Sequence, residues 1–181
     1  MKPVLLITGA SRGIGAATAV LAAQQGWAVA VNYVSNEKAA DRVVQQIQAA
    51  GGTAIAVQAD VGDEADILRM FTEVDAKLGR ISGLVNNAGV VDVTAKVETQ
   101  SWARWERMMR INVLGSFACA REAVRRMSTA HGGSGGFNVL FGHRVVDALV
   151  LLVHSPQVVL PFGVGAQDAA DPGAWNHPCA Q

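Results

Sequence analysis

One eight-residue turn constrains this chain more than any other feature: Thr8-Gly9-Ala10-Ser11-Arg12-Gly13-Ile14-Gly15, set between an aliphatic run and a segment of helical period. Glycines there permit positive φ and let the backbone approach a pyrophosphate closely. The helix that follows aims its unpaired amides and positive dipole end at the same place. A glycine-rich turn in isolation is only a turn. Between a strand and a helix opening it reads as a phosphate cradle.

The rest of the chain up to about residue 139 repeats the same alternation. Val4 to Thr8 reads as a strand buried on both faces, and Ile14 to Gln25 as a small-residue helix ended by Gly26. Ala28 to Tyr33 gives a second strand. Ser35 is the expected cap of a polar helix with Ala39, Val43, Val44, Ile47 and Ala50 inward, and Thr53 to Gln58 gives a third strand. Asp63 caps a helix carrying Ile67, Leu68, Phe71, Val74 and Leu78 at helical spacing. Gly83 to Asn86 is strand four. One long helix is expected over roughly 101–128, with Trp105, Met108, Met109, Ile111, Val113, Phe117 and Val124 available for burial, and Phe137 to Val139 opens strand five. Strands linked by crossover helices predict an α/β, Rossmann-like doubly wound parallel sheet in the order 3-2-1-4-5, with the glycine turn at its switch point.

Beyond about residue 140 the texture changes. Residues 140–181 hold four of the five prolines, three of the four histidines, no lysine, and only Arg144, Asp147, Asp168 and Asp171 as charged residues. Val145 to Val153 suits one strand or one short helix, and the remainder reads as irregular. The expected organisation is therefore a dinucleotide-binding domain over 1–139 and a divergent tail over 140–181, with the sheet incomplete on its C-terminal side.

Fifteen basic and fifteen acidic residues leave no net charge, so no long-range field draws the protein to nucleic acid or an anionic membrane. The longest apolar stretch, Ala148 to Val153, is far short of the roughly 20 residues that cross a bilayer. The start of the chain lacks the pattern of a secretory leader, so a cytoplasmic location is expected. Cys119 and Cys179 are isolated from each other and from metal-ligand spacing, so reduced thiols and no metal site are expected.

Together with Asp60-Val61, Asn86-Asn87-Ala88-Gly89 and Asn112, the turn resembles the short-chain dehydrogenase/reductase family. Ala30-Val31-Asn32-Tyr33 and Arg121-Glu122-Ala123-Val124 place it nearest the 3-oxoacyl-carrier-protein reductases and their glucose-dehydrogenase-like relatives. The resemblance covers about residues 2–139. It implies that Gly9, Gly13 and Gly15 line the cofactor phosphates beside Ser11 and Ile14. Asp60 and Val61 would meet the adenine; Asn87, Ala88 and Gly89 would follow the ribose. Asn112 corresponds to the asparagine that holds a water in the family's proton relay. The bland alternatives are a strand-end cap for Asp60 and a helix-surface position for Asn112.

An NAD-selective site holds an acid at the end of strand two, where it binds the ribose hydroxyls and repels a 2'-phosphate. Here that position falls at Asn32 and Tyr33, and the first acid is Glu37. Arg12 offers a positive fork for a 2'-phosphate. NADP(H) is favoured over NAD(H), with a small carbonyl or secondary alcohol as the implied substrate.

The resemblance also implies a serine, a tyrosine and, four residues on, a lysine after strand five. The only tyrosine is Tyr33, the lysines are Lys2, Lys38, Lys77 and Lys96, and Leu140-Phe141 stand where two serines are expected. Catalysis is expected to be impaired and the family's subunit interface incomplete. His143, His154 and Ser155 in the tail lack a framework to replace the missing groups. A one-base change of reading register near Asn138 would account for the break: degenerate codons for Val139-Leu140 can read Ser-Ser, and those for Val153 to Gln157 can read Tyr-x-x-x-Lys. Sequencing codons 130–160 of the gene tests this, and a shifted frame encoding other residues removes it.

Overall fold

The computed structural model describes residues 2–141 and 148–153. Its strands are β1 (Val4–Ile7), β2 (Ala28–Tyr33), β3 (Thr53–Gln58), β4 (Gly83–Asn86), β5 (Gly136–Phe141) and β6 (Ala148–Val153). They lie in one sheet in the order β3-β2-β1-β4-β5-β6. The first five are parallel, as the alternation of strand and helix predicts, and the chain leaves β1 at the point where the order reverses. The sixth strand runs antiparallel to β5, from Gly136↔Val153 to Phe141↔Ala148. Of the two conformations the tail segment allowed, the strand is the one adopted.

Strand side chains alternate between the two faces, which divides the core into two layers. Val4, Leu6, Ala28, Ala30, Val57 and Leu84 pack with Ile67, Met70, Phe71 and Val74 of α3 (Glu64–Lys77) and with Cys119, Ala123 and Met127 of α5 (Ser116–Met127). Leu5, Ile7, Val29, Val31 and Val85 pack on the other face with Ala19 of α1 (Gly13–Gln24) and with Ala40, Val43 and Ile47 of α2 (Glu37–Ala49). Burial on both faces explains why these strands read as continuous aliphatic runs.

Two local expectations need correction. The cap of α2 is Asn36, whose Oδ1 accepts from the Ala39 amide at 3.0 Å, and Ser35 lies one residue outside the helix. The long helix is not uniform: α4 (Trp102–Met109) passes into a π-helical turn, Arg110–Gly115, before α5 begins. Gly115 permits this crossing, because a Cβ there would lie 2.3 Å from the Val61 carbonyl oxygen. The turn also redirects side chains. Trp105, Met109 and Phe117, expected inward, are 38%, 56% and 53% exposed, while the stripe that meets the sheet is Cys119, Ala123 and Met127. Those three recur every four residues on one helix face, and two of them are small enough for close approach to Phe71 and Leu84.

Helices α3 and α5 are also tied by charge. Arg126 donates from Nε to Asp75 Oδ2 at 2.7 Å and from an Nη nitrogen to the buried Glu122 at 3.1 Å, with its guanidinium 4.9 Å from the Phe71 ring centroid.

The pairing of β6 covers the outer edge of β5, which would otherwise present unpaired backbone groups to another chain. A chain ending at Phe141 is therefore expected to self-associate at concentrations where the full chain scatters as a single species. Equal light scattering from the two would show that β6 has no covering role.

Candidate functional site

The site is built where β1 and β4 end side by side. Thr8, at the end of β1, is 1% exposed. Its hydroxyl accepts from the backbone amides of Asn87 and Ala88, both at 3.0 Å, and faces the Val85 carbonyl at 3.4 Å. Asn87 completes the lock, donating from Nδ2 to the Thr8 carbonyl at 2.8 Å and the Gly9 carbonyl at 3.1 Å. Sequence reasoning singled out Asn87 and passed over Thr8. A threonine closing a buried strand was the signal, since a hydroxyl there must find partners.

Each glycine of the turn has its own reason. Gly9 has φ +63°, and a Cβ on it would lie 2.9 Å from Ala88 Cα. Gly15 sits in the first turn of α1, where a Cβ would come 2.5 Å from Asn87 Nδ2 and 2.8 Å from the Gly9 carbonyl oxygen. Gly13 differs: its φ is +58° and nothing lies within 4 Å of where its Cβ would stand. The strand-to-helix joint is thus tight at Gly9 and Gly15 and open at Gly13. Ser11 is half-buried there, while Arg12 and Ile14 are exposed, Ile14 at 66%. The first turn of α1 carries no acidic residue and no side-chain cap. Its amides, an open space at Gly13 and a nearby guanidinium fit a dinucleotide's phosphates.

Asn32 is fully buried at the end of β2. Its Oδ1 accepts from the Gly9 amide at 3.0 Å, and its Nδ2 donates to the Ala59 and Val57 carbonyls at 3.1 and 3.3 Å. Expected to face the cofactor, it instead holds Gly9 and the end of β3 in place, because every polar atom it has is spent on backbone. Asp60 is half-buried after β3. Its Oδ1 accepts from the Gly62 amide at 2.8 Å, and its own amide donates to Asp66 Oδ2 at 2.8 Å. That amide bond, then Arg69, holds the Asp66 carboxyl below the usual aspartate range. Val61 is buried in the core, so only its backbone can face a ligand.

Asn112 lies in the π-helical turn. Its Oδ1 accepts from the Val90 amide at 2.8 Å and its Nδ2 donates to the Val90 carbonyl at 2.9 Å. This reciprocal pair compensates for an asparagine within a helix and secures the loop after Asn87-Ala88-Gly89. The neighbouring Asn86 donates to the Ser116 carbonyl at 3.2 Å and to Asn138 at 3.3 Å.

Tyr33 and Cys119, the tyrosine and the cysteine among the described residues, both have their ionisation made harder by burial. Burial, and then the charges of Glu37 and Asp41, raise the Tyr33 pKa, the opposite of what a proton-transferring tyrosine requires. Burial, then Glu122, pushes Cys119 up to about 12, which keeps it a thiol. His143, His154, Ser155 and Cys179 lie outside the described residues.

The packing at Gly15 makes a direct test. Gly15→Ala is expected to lower stability by about 1–3 kcal/mol, because the added methyl meets a backbone oxygen that cannot give way. Urea denaturation indistinguishable from the unsubstituted chain would mean the joint is slack.

Among known proteins, the short chain dehydrogenase family model matches residues 3–135. The chain is 48% identical over 133 residues to the uncharacterized oxidoreductase YgfF of Escherichia coli, covering 74% of this chain and 54% of that one. It is 36% identical over 136 residues to a 3-oxoacyl-acyl-carrier-protein reductase of Staphylococcus aureus, again 74% of this chain and 54% of the other. A short-chain dehydrogenase from Burkholderia cenocepacia, solved in complex with NADP, superposes with a TM-score of 0.66 at 32% identity, over 70% of this chain and 51% of that one. The chain spans about half the length of the relatives it matches, and over that half, with the glycine joint, Asn87 lock and Asn112 anchor in one crevice, it belongs to the short-chain dehydrogenase family.

Proposed function

We propose that this chain is the NADP(H)-holding part of an oxidoreductase that interconverts small carbonyl compounds and secondary alcohols, and that by itself it turns substrate over slowly. The observation that carries the reading is the opening at Gly13, set between two closely packed glycines at the first turn of an uncapped helix. Bound there, NADP(H) supplies or accepts the hydride. The chain's own contribution is to seat it. Gly9, Ser11, Gly13, Ile14 and Gly15 form the phosphate wall, and Asn87, Ala88 and Gly89 form the wall along the ribose. Asp60 and the Val61 backbone border the adenine end, and Asn32 acts through Gly9.

Preference for NADP(H) over NAD(H) rests on charge. The first exposed positions after β2 are Val34, Ser35 and Asn36, none of which repels a 2'-phosphate, while Arg12 stands exposed in the turn with a guanidinium suited to one. The NADP complex of the Burkholderia relative supports the same choice.

The proposal of slow turnover rests on the absence of a Tyr-x-x-x-Lys pair anywhere in the 181 residues and on the position of Tyr33 at the end of β2, where burial raises its pKa. A positioned acid or base contributes about 10² to 10⁴ in rate, so its loss leaves little of the family's chemistry. The same observation favours a second reading, a binding module that holds NADP(H) without turnover.

Titration of NADPH and NADH fluorescence against the unsubstituted chain, Arg12→Met and Gly13→Asp tests the binding half. Arg12→Met is expected to weaken NADPH by about tenfold, the worth of one charge-assisted hydrogen bond at an exposed site, and to leave NADH nearly unchanged. Gly13→Asp, placing a carboxylate beside the phosphates, should abolish both. Equal binding by all three proteins rejects the site. In the second half, NADPH oxidation with a short 3-oxoacyl ester and simple ketones is expected near background. Turnover above about 1 s⁻¹, within the ordinary enzyme range, would show that the chain does supply a proton donor.

A further inference from the structure

The loop between β4 and α4 begins at the seam with β1, beside the glycine turn, and its conformation is set by fasteners at close intervals. Thr8 holds Asn87 and Ala88, and Asn112 holds Val90. A third fastener comes from the first turn of α4. Arg104 is 17% exposed, faces Asp92 Oδ2 from Nε at 3.3 Å, and donates from Nη2 to the Val93 carbonyl. Asp92 uses its other oxygen, Oδ1, to accept from the Val93 amide at 2.8 Å. Both backbone polar groups of Val93, its N–H and its C=O, are thereby held by the two members of a single ion pair. Gln100 extends the grip, donating to the Ala95 carbonyl at 3.2 Å and accepting from Trp105 Nε1 at 2.7 Å.

The strength of this fastener comes from its surroundings. Arg104 Nε is buried and lies off the line of a hydrogen bond to Asp92, so the guanidinium depends on that carboxylate for its charge and on Val93 for its directed bond. Removing either partner leaves the other poorly compensated at a site partly withdrawn from water. Val91 and Val93 beside it are 80% and 76% exposed and contribute no buried side chain that could hold the loop instead. With Val90 and Ala95 only half-buried, polar contacts do most to decide where residues 90–95 run.

From these contacts we infer that Arg104 is a positioning residue for the nicotinamide half of the cofactor, acting through Asp92 and Val93. The inference rests on the cofactor reading above. In a doubly wound sheet the dinucleotide lies across the switch point, one half toward the β2 side and the other toward the β4 side. Arg104 acts only on the wall that follows β4. Its loss should disturb the nicotinamide half and spare the adenosine half.

Two ligands separate these halves: NADPH, and adenosine 2',5'-bisphosphate, which lacks the nicotinamide. Binding of each is measured calorimetrically to the full unsubstituted chain, Arg104→Met, Arg104→Lys and Asp92→Asn. Arg104→Met and Asp92→Asn are expected to weaken NADPH by about tenfold, with Arg104→Lys intermediate because an ammonium keeps the charge and loses the fork. The bisphosphate should bind all four alike. Amide exchange at residues 90–93 should rise in Arg104→Met while β1 and β2 stay protected. NADPH affinity unchanged in Arg104→Met overturns the inference, as does equal weakening of both ligands, which would mark a general loss of stability. An unsubstituted chain that binds neither ligand removes the cofactor reading and this inference with it. A chain that binds both normally, with Arg104→Met equal to it, removes this inference alone.

Discussion

The crevice depends on the contact between the ends of β1 and β4, where one buried hydroxyl and one side-chain amide join two strands that are distant in sequence. Thr8 and Asn87 together make four close donor-acceptor contacts across that seam. Because Thr8 is buried and its partners are partly shielded from water, leaving its hydroxyl unpartnered would cost more than forming the bonds contributes. This asymmetry makes the seam specific: the strands meet in the one register that pairs every group. The glycines follow from it. With the strand ends drawn this close, Gly9 and Gly15 have no room for a Cβ.

Around this seam the molecule divides into a rigid side and a tethered side. Helices α1 and α2 and strands β1 to β3 are held by aliphatic packing, so the glycine turn sits on a platform with little freedom. The loop after β4 has exposed valines and is held by Asn112, Arg104 and Gln100. Directional polar contacts hold a loop in place without burying it. The π-helical turn serves the same end, since its altered ladder places Asn112 toward Val90 and lets Gly115 cross the Val61 carbonyl.

The tail raises a different physical problem. A parallel sheet ending at β5 leaves a buried type of strand at an edge, and β6 meets it in antiparallel pairing. The register Asn138↔Leu151 and its neighbours satisfies backbone groups without requiring the crossover helix that a further parallel strand would need. This answers the edge. It supplies no serine, tyrosine or lysine at the crevice.

By itself the sequence determined the element types and the place of the crevice, because both are written in local periodicity. Aliphatic runs of four to six residues separated by helical spacing can bury themselves only as parallel strands under crossover helices, and a glycine turn after the first of them falls at the switch point whatever the side chains beyond. Asn87 and Asn112 were legible only through the family resemblance, as a residue along the ribose and a member of the proton relay. What their side chains bond to was decided by tertiary structure. Asn32, read from its position at the end of β2 as a cofactor contact, turned inward because Gly9 and the end of β3 offered it three backbone groups that no one-dimensional pattern brings together. The helical period placed Trp105, Met109 and Phe117 inward, but a six-residue π-helical turn rotated the stripe so that Cys119, Ala123 and Met127 met the sheet. Arg104 carried no signal at all, since an arginine in the first turn of a helix looks solvated until the loop it grips is folded against it. Periodicity reports how a segment can bury its own apolar face; which polar groups meet across the sheet depends on distances between segments, and only the folded chain sets those.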